Sequence, residues 1–329
     1  MTDLARSIEC AVELLGDAAR VEVSLGERTT YRVGGSARVF VEAADIDELM
    51  TVGRVGAQCG LPVMTIGRGS NLLVAESGFD GIAVALGDGF TGISIERTGP
   101  EAPDIGEKTF VVAGGAVALP VLARRTVAED LTGLEWMVGI PGSVGAAVCM
   151  NAGGHGSDVA SSVVEADVVD LNDGSRSTWS TLDLGLRFRG SGIEPRHVVV
   201  SARFVLGRGE RAAGEQTLRE IVTWRRKNQP GGQNAGSVFV NPFEGHESAG
   251  RLIDEAGLKG RRLGTAEVSA KHGNFIQADP GGSADDVVAL MRLVVEEVER
   301  HHGIRLRSEV RLVGFDAADL GSRPSGGNQ

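Results

Sequence analysis

The chain has 329 residues, 42% of them apolar, enough to bury a large core divided over two or three domains. A formal net charge of -11 with no basic stripe excludes nucleic acid as the main partner, because phosphate binding needs an excess of Lys and Arg. Cys10, Cys59 and Cys149 are odd in number and far apart, which predicts no disulfide framework and a reducing compartment. The charged start (Asp3, Arg6, Glu9) and the lack of any membrane-length apolar run predict a cytoplasmic chain with no membrane contact.

Residues 20–87 read as a first α/β lobe. The β-rich pieces VEVSL (21–25) and ARVFVEA (37–43) flank a helical stretch near Asp45 to Cys59, which returns to the strand LPVMTI (61–66). That strand breaks into GRGSNLLV, Gly67 to Val74. Residues 88–208 read as a second, strand-rich lobe carrying FVVAGGAV, VVEADVVDL and HVVVSARFVL, with one helix near Leu119 to Ala128. Within it runs GIPGSVGAAVCMNAGG, Gly139 to Gly154. Two such glycine-rich turns bring bare backbone amides close to an anion, and a pair of phosphate-sized loops suggests a dinucleotide. Neither fits GxGxxG followed by a long helix, nor the Lys-Ser/Thr ending of a Walker A loop.

The polar run 207–216 predicts a boundary, followed by a helix through Leu218 to Arg226 that opens a third domain over 209–303. Its clearest element is a helix over Ser283 to His302, with Ser283 and Asp286 forming an S-x-x-D capping box and Gly303 as the stop. Residues 304–315 form a C-terminal strand, and the Gly, Ser, Asp and Pro-rich tail 316–329 is expected to lack structure.

Three residues could carry chemistry. In NAGSVFVNP (234–242) Ser237 stands at a strand entry, although a serine there is more often a cap or turn residue. In LRFRGSGI, Arg189 could grip a carboxylate with its two-pronged guanidinium, or be a solvated loop arginine. In SEVRLVG (308–314) Glu309 sits in an apolar strand where its surroundings could keep it protonated, or where it could pair with Arg311.

The strings YRVGGSA (31–37), GRGSNLLV, GIPGSVGAAVCMNAGG, NAGSVFVNP, AGRLIDEAGLKG (249–260), VSAKHGNFI (268–276) and SEVRLVG occur in the order seen in bacterial UDP-N-acetylenolpyruvoylglucosamine reductases. The chain resembles that family over about residues 20 to 315. The resemblance implies an α+β architecture: an FAD-binding fold of the PCMH or vanillyl-alcohol-oxidase type in two lobes, plus a C-terminal substrate-binding α+β domain. It implies non-covalent FAD, NADPH as reductant, UDP-N-acetylglucosamine enolpyruvate as substrate, no metal and no obligate protein partner.

The catalytic set it implies is Arg189, Ser237 and Glu309. The FAD diphosphate would rest on Gly67, Arg68, Gly69, Ser70 and Asn71 and on Gly139, Ile140, Pro141, Gly142, Ser143 and Gly145. Asn241 and Lys227 would contact substrate. Phe188, Ala146, Val240 and Arg307 depart from the usual Tyr, Gly, Lys and Glu, and His155 stands where an aromatic is common. Arg189 lies 48 positions before Ser237, a spacing that resembles the family's type II, which lacks a tyrosine-bearing insertion.

The chemistry so implied is hydride addition to the methylene carbon of an enol ether conjugated to a carboxylate. Arg189 and Glu309 would stabilise charge developing on the carboxylate, and Ser237 would deliver a proton to the neighbouring carbon. Two rivals stand beside this reading: another FAD-dependent alcohol or sugar oxidoreductase of the same fold, and a non-catalytic nucleotide-sugar binder. The GSVF serine and the lack of an attachment histidine on the Gly67 loop speak against the first. A yellow preparation would dispose of the second.

Overall fold

The computed structural model describes residues 3–97, 108–242, 247–316 and 320. The first lobe opens with helix α1 (Asp3–Leu15) and strand β1 (Arg20–Ser24), followed by β2 (Ser36–Ala43), α2 (Ile46–Cys59), β3 (Val63–Thr65), β4 (Leu72–Val74) and β5 (Phe79–Leu86). A four-stranded sheet of order β1-β2-β5-β3 forms, with β2, β5 and β3 parallel. The predicted helix over 45–59 is α2, and its ends follow from local chemistry. Asp45 accepts the Glu48 N–H at 2.9 Å, the Glu48 carboxylate returns to the Ala44 N–H, and Gly60 closes the helix at φ 66°.

Cys10 on α1 and Cys59 at the end of α2 form a disulfide with the Cα atoms 5.9 Å apart. The expectation of unpaired cysteines is overturned: 49 residues separate the two in sequence, but the packing of α1 on α2 brings them together. Cys149 remains a free thiol. Because a cross-link of this span removes loop-closure freedom from the unfolded chain, reduction is expected to lower stability by about 2–4 kcal/mol. Thermal unfolding with and without reductant measures this, and an unchanged Tm would refute it.

The second lobe contains β6 (Ile93–Arg97), β7 (Thr109–Gly114), α3 (Leu119–Ala128), β8 (Leu131–Thr132), α4 (Val144–Met150), β9 (Gly153–Gly154), β10 (Ser157–Asp158), β11 (Val163–Asp170), β12 (Arg176–Ser180), α5 (Thr181–Leu184) and β13 (His197–Arg208). A six-stranded sheet runs β12-β11-β13-β7-β6, with β8 pairing β13. The two lobes share an apolar core in which α2 packs on Val169, Leu171, Val198 and Val200. Gly53 marks the closest approach: a Cβ there would lie 2.2 Å from the Leu171 carbonyl oxygen.

Most of the polar run 207–216 lies in regular structure, since β13 reaches Arg208 and α6 (Arg211–Asn228) begins three residues later. Beyond it come α7 (Ala249–Glu255), β14 (Arg262–Leu263), β15 (Ala266–Val268), β16 (Ile276–Ala278), α8 (Ala284–His302) and β17 (Arg311–Val313). Helix α8 covers the small β14-β15-β16 sheet, and its core also takes in Tyr31, Val33 and Leu73 of the first lobe. Ser283 and Gly303 cap α8 as predicted, but no capping box forms: the Asp286 carboxylate instead accepts the N–H and O–H of Thr265, both at 2.7 Å. Strand β17 crosses back to pair in parallel with β4 of the first lobe. Of the tail expected to lack structure, Leu320 is buried and its carbonyl accepts the Ser308 N–H at 2.9 Å, which corrects that expectation at this position. Residues 317–319 and 321–329 lie outside the described residues.

Candidate active site

The two glycine loops face one another. A Cβ on Gly67 would sit 2.9 Å from Ser143 Oγ and 3.6 Å from Ala146 Cβ, and one on Gly142 would be 3.9 Å from Ser70 Oγ. Gly69 adopts φ 59°, its carbonyl accepts the Thr30 N–H at 3.1 Å, and any Cβ would meet the Arg28 oxygen at 2.2 Å, so the turn demands glycine. The N–H groups of Gly67, Arg68, Gly69 and Ser70 form no hydrogen bond among the described residues. Gly67 and Arg68 open onto solvent.

On the second loop, Gly139 closes a short 3-10 turn, and Ile140 and Pro141 lead to Gly142 and Ser143 at the start of α4. The Val144 and Gly145 N–H groups are already spent on the Val117 and Gly115 carbonyls, each at 2.9 Å, so Gly145 contributes close packing rather than a free donor. Those of Gly142, Ser143 and Ala146 form no hydrogen bond among the described residues. Together the loops present unsatisfied amides of the kind that hold a phosphate.

The other end of α4 anchors Arg189. Asn151 caps the helix in a left-handed conformation and donates to the Arg187 carbonyl and the Asp158 carboxylate, both at 3.1 Å, while Ser191 Oγ donates to the Cys149 carbonyl at 2.6 Å. Arg187 and Gly190 exchange backbone hydrogen bonds at 2.9 and 3.0 Å, which puts Phe188 and Arg189 at the tip of a tight turn with Arg189 at φ 51°. From there Arg189 Nε reaches Glu309 Oε1 at 3.2 Å and Nη1 donates to the Gly153 carbonyl at 3.0 Å. Phe188 is half exposed beneath the guanidinium, whose carbon is 5.5 Å from the ring centroid.

Glu309 lies just before β17 and faces Arg189, not Arg311. Its N–H donates to the Val238 carbonyl at 2.8 Å, and Phe239 pairs with Ser308. Ser237, the residue before Val238, is thereby carried to the same strand pair. It is half-buried and makes no side-chain hydrogen bond among the described residues. Asn274 clamps this segment: its backbone carbonyl accepts the Val238 N–H, and its side chain accepts from the Phe239 N–H at 2.9 Å and donates to the Phe239 carbonyl at 2.8 Å. Burial raises the Glu309 carboxyl above its ordinary range, against the opposing pull of Arg189 and Arg307.

The structure thus joins Arg189 and Glu309 directly and Ser237 through the adjoining backbone. Asn241 uses its Oδ1 to accept the Ala249 N–H at 3.0 Å, and Lys227 is exposed in the last turn of α6. His155 stacks edge-on to Trp224 at 5.1 Å between ring centroids. Sequence reasoning offered Arg311 only as a partner for Glu309, whereas its part-buried guanidinium makes no ion pair or side-chain hydrogen bond among the described residues. Its electrostatic neighbour is the Cys149 thiol, itself pushed up to about 12 by burial. Position two residues after Glu309 was the available signal. The roles of Asn151 and Asn274, both buried polar anchors, had none.

Residues 37–179 match the family described as "FAD binding domain", and residues 228–313 match "UDP-N-acetylenolpyruvoylglucosamine reductase, C-terminal domain". The UDP-N-acetylenolpyruvoylglucosamine reductase 2 of Symbiobacterium thermophilum is 38% identical over 318 residues, covering 96% of this chain and 98% of its own length. A reductase of the same name from Heliobacterium modesticaldum is 39% identical over 305 residues, 92% of each chain. The crystal structure of UDP-N-acetylenolpyruvylglucosamine reductase from Thermus caldophilus superposes with a TM-score of 0.74 at 31% identity, covering 90% of this chain and 99% of that one.

Proposed function

The chain belongs to the UDP-N-acetylenolpyruvoylglucosamine reductase family, and on that premise we propose that Arg189, Ser237 and Glu309 serve an NADPH-dependent, FAD-mediated reduction. The substrate is UDP-N-acetylglucosamine enolpyruvate and the product UDP-N-acetylmuramate, a precursor of peptidoglycan. The observation that carries the reading is the pairing of Arg189 with a part-buried Glu309 of raised pKa at 3.2 Å, in a chain whose Gly67 to Asn71 loop, one of two that present unsatisfied amides, reaches the Glu309 carbonyl through Asn71.

FAD fits the chain. The free N–H groups of Gly67 to Ser70 and of Gly142, Ser143 and Ala146 suit its diphosphate, and a side chain on Gly67 would close the gap to Ser143. Bound there, the flavin supplies the hydride chemistry. Arg189 holds the substrate carboxylate and Glu309, protonated, donates a hydrogen bond to it, so that charge developing at that end is met by fixed groups. Ser237 Oγ holds the proton for the carbon beside the carboxylate. Asn241 Nδ2 and Lys227 are the groups proposed to contact the sugar nucleotide.

We place the reaction in the cytoplasm, where the nucleotide precursor is made. No helix among the described residues is long and apolar enough to cross a membrane. The Cys10–Cys59 bond is unusual for a reducing compartment. Thiol titration of protein trapped at lysis would show which state the cell maintains.

The test is spectral. The purified protein is expected to be yellow, to bleach on anaerobic NADPH addition and to recover its colour on addition of the enolpyruvyl nucleotide. Bleaching without recovery would sink the substrate assignment. Acid precipitation is expected to leave a colourless pellet, since no histidine stands on the Gly67 to Asn71 loop to bond the flavin. Flavin retained on the denatured chain would refute that.

A further inference from the structure

We infer that Asn71 is a positioning residue that sets Glu309 by holding its backbone, rather than a side-chain ligand of the cofactor diphosphate. A primary amide has two N–H donors, and both are spent inside the protein: Asn71 Nδ2 donates to the Glu309 carbonyl at 2.9 Å and to Met150 Sδ at 3.3 Å. Both partners only accept, so the amide cannot be turned round without losing them. The Asn71 carbonyl in turn accepts the Arg311 N–H at 3.0 Å. Main chain and side chain of one residue therefore bracket the peptide units on either side of Val310.

The bracket matters because regular pairing has not yet begun at Glu309. Strand β17 starts at Arg311, and the Phe239–Ser308 bridge lies on the other side. The Glu309 N–H is held by Val238, but its carbonyl has only Asn71 among the described residues. Two parts of the molecule thus hold the Glu309 backbone directly, the Ser237 segment at its N–H and the Gly67 to Asn71 loop at its carbonyl, and the C-terminal end of α4 joins them through the contact of Met150 with the Asn71 amide. A carboxyl that must hydrogen-bond a charge appearing on substrate tolerates little displacement, so a backbone freed at this point acts on turnover more than on binding. The loop that cradles the diphosphate is then mechanically continuous with the acid that answers the substrate.

This inference rests on the reading of Glu309 as an acid acting on substrate, and the experiment separates the two. Full-length, FAD-loaded Asn71→Ala, Asn71→Asp, Glu309→Gln and the Asn71→Ala/Glu309→Gln pair are compared in flavin content and in each half-reaction. Asn71→Asp preserves size, and it decides the question if the alanine variant does not fold. For both Asn71 variants, flavin content and NADPH-driven bleaching are expected within about twofold of the parent. Reoxidation by saturating enolpyruvyl nucleotide should fall about tenfold with unchanged half-saturation, as for an interaction realised only in the transition state.

In the Glu309→Gln background, removing Asn71 should cost at most about twofold more, because one displacement cannot be charged twice. Loss of flavin in the Asn71 variants, or fully additive slowing in the pair, would overturn the inference. A Glu309→Gln protein that reoxidises at the parent rate would instead overturn the acid reading, whatever Asn71 does.

Discussion

Replacing Ser237 by alanine is expected to slow reoxidation of the reduced flavin by the enolpyruvyl nucleotide roughly a hundredfold or more, the usual cost of losing a positioned proton donor. Reduction of the flavin by NADPH should stay nearly intact, because in the proposed role the hydroxyl acts only once the substrate carbon needs its proton. The structure favours such a clean separation. Ser237 makes no side-chain hydrogen bond among the described residues, and the segment after it is held by Asn274 and the Glu309 backbone, so removing one oxygen leaves the strand pair in place. Stopped-flow measurement of both half-reactions decides the matter; equal damage to the two would refute the role.

Glu309 carries the second large effect, and its sign follows from its surroundings. Burial raises its pKa, while Arg189 and Arg307 pull the other way and lose. The protonated form therefore persists above the ordinary carboxylate range, present at low pH and lost as pH rises through the raised value. Substrate reduction should fall along that same alkaline limb. Glu309→Gln keeps a donor and cannot ionise, so it is expected to retain clearly more activity than Glu309→Ala and to lack the limb. Glu309→Asp suffers from lost reach across the 3.2 Å contact with Arg189. If Gln and Ala variants are equally inactive toward substrate with the flavin still reducible, Glu309 works as an ionised base and the assignment fails. Once substrate occupies the guanidinium of Arg189, the pull of that cation on Glu309 weakens and the limb should move further toward alkaline pH.

What the sequence by itself determined is whatever a turn or two of chain decides. The helical stretch that became α2, the span of α3 at Leu119 to Ala128 and the capping of α8 by Ser283 and Gly303 were legible because apolar periodicity, N-cap oxygens and left-handed glycines act over a few residues. The glycine loops were legible as tight turns with unpaired amides for the same reason, and the ordered motifs pointed to the family. Only the tertiary structure decided which distant groups meet. Glu309 faces Arg189 instead of its near neighbour Arg311, Asn71 reaches a carbonyl 238 positions away, and Asp286 leaves its own helix start for Thr265. Cys10 and Cys59 find each other although their spacing argued against it. A side chain's partner is chosen by which surfaces the folded chain buries together, and the backbone between them can be of any length because loop closure costs grow only slowly with it. Local pattern carries no record of that choice.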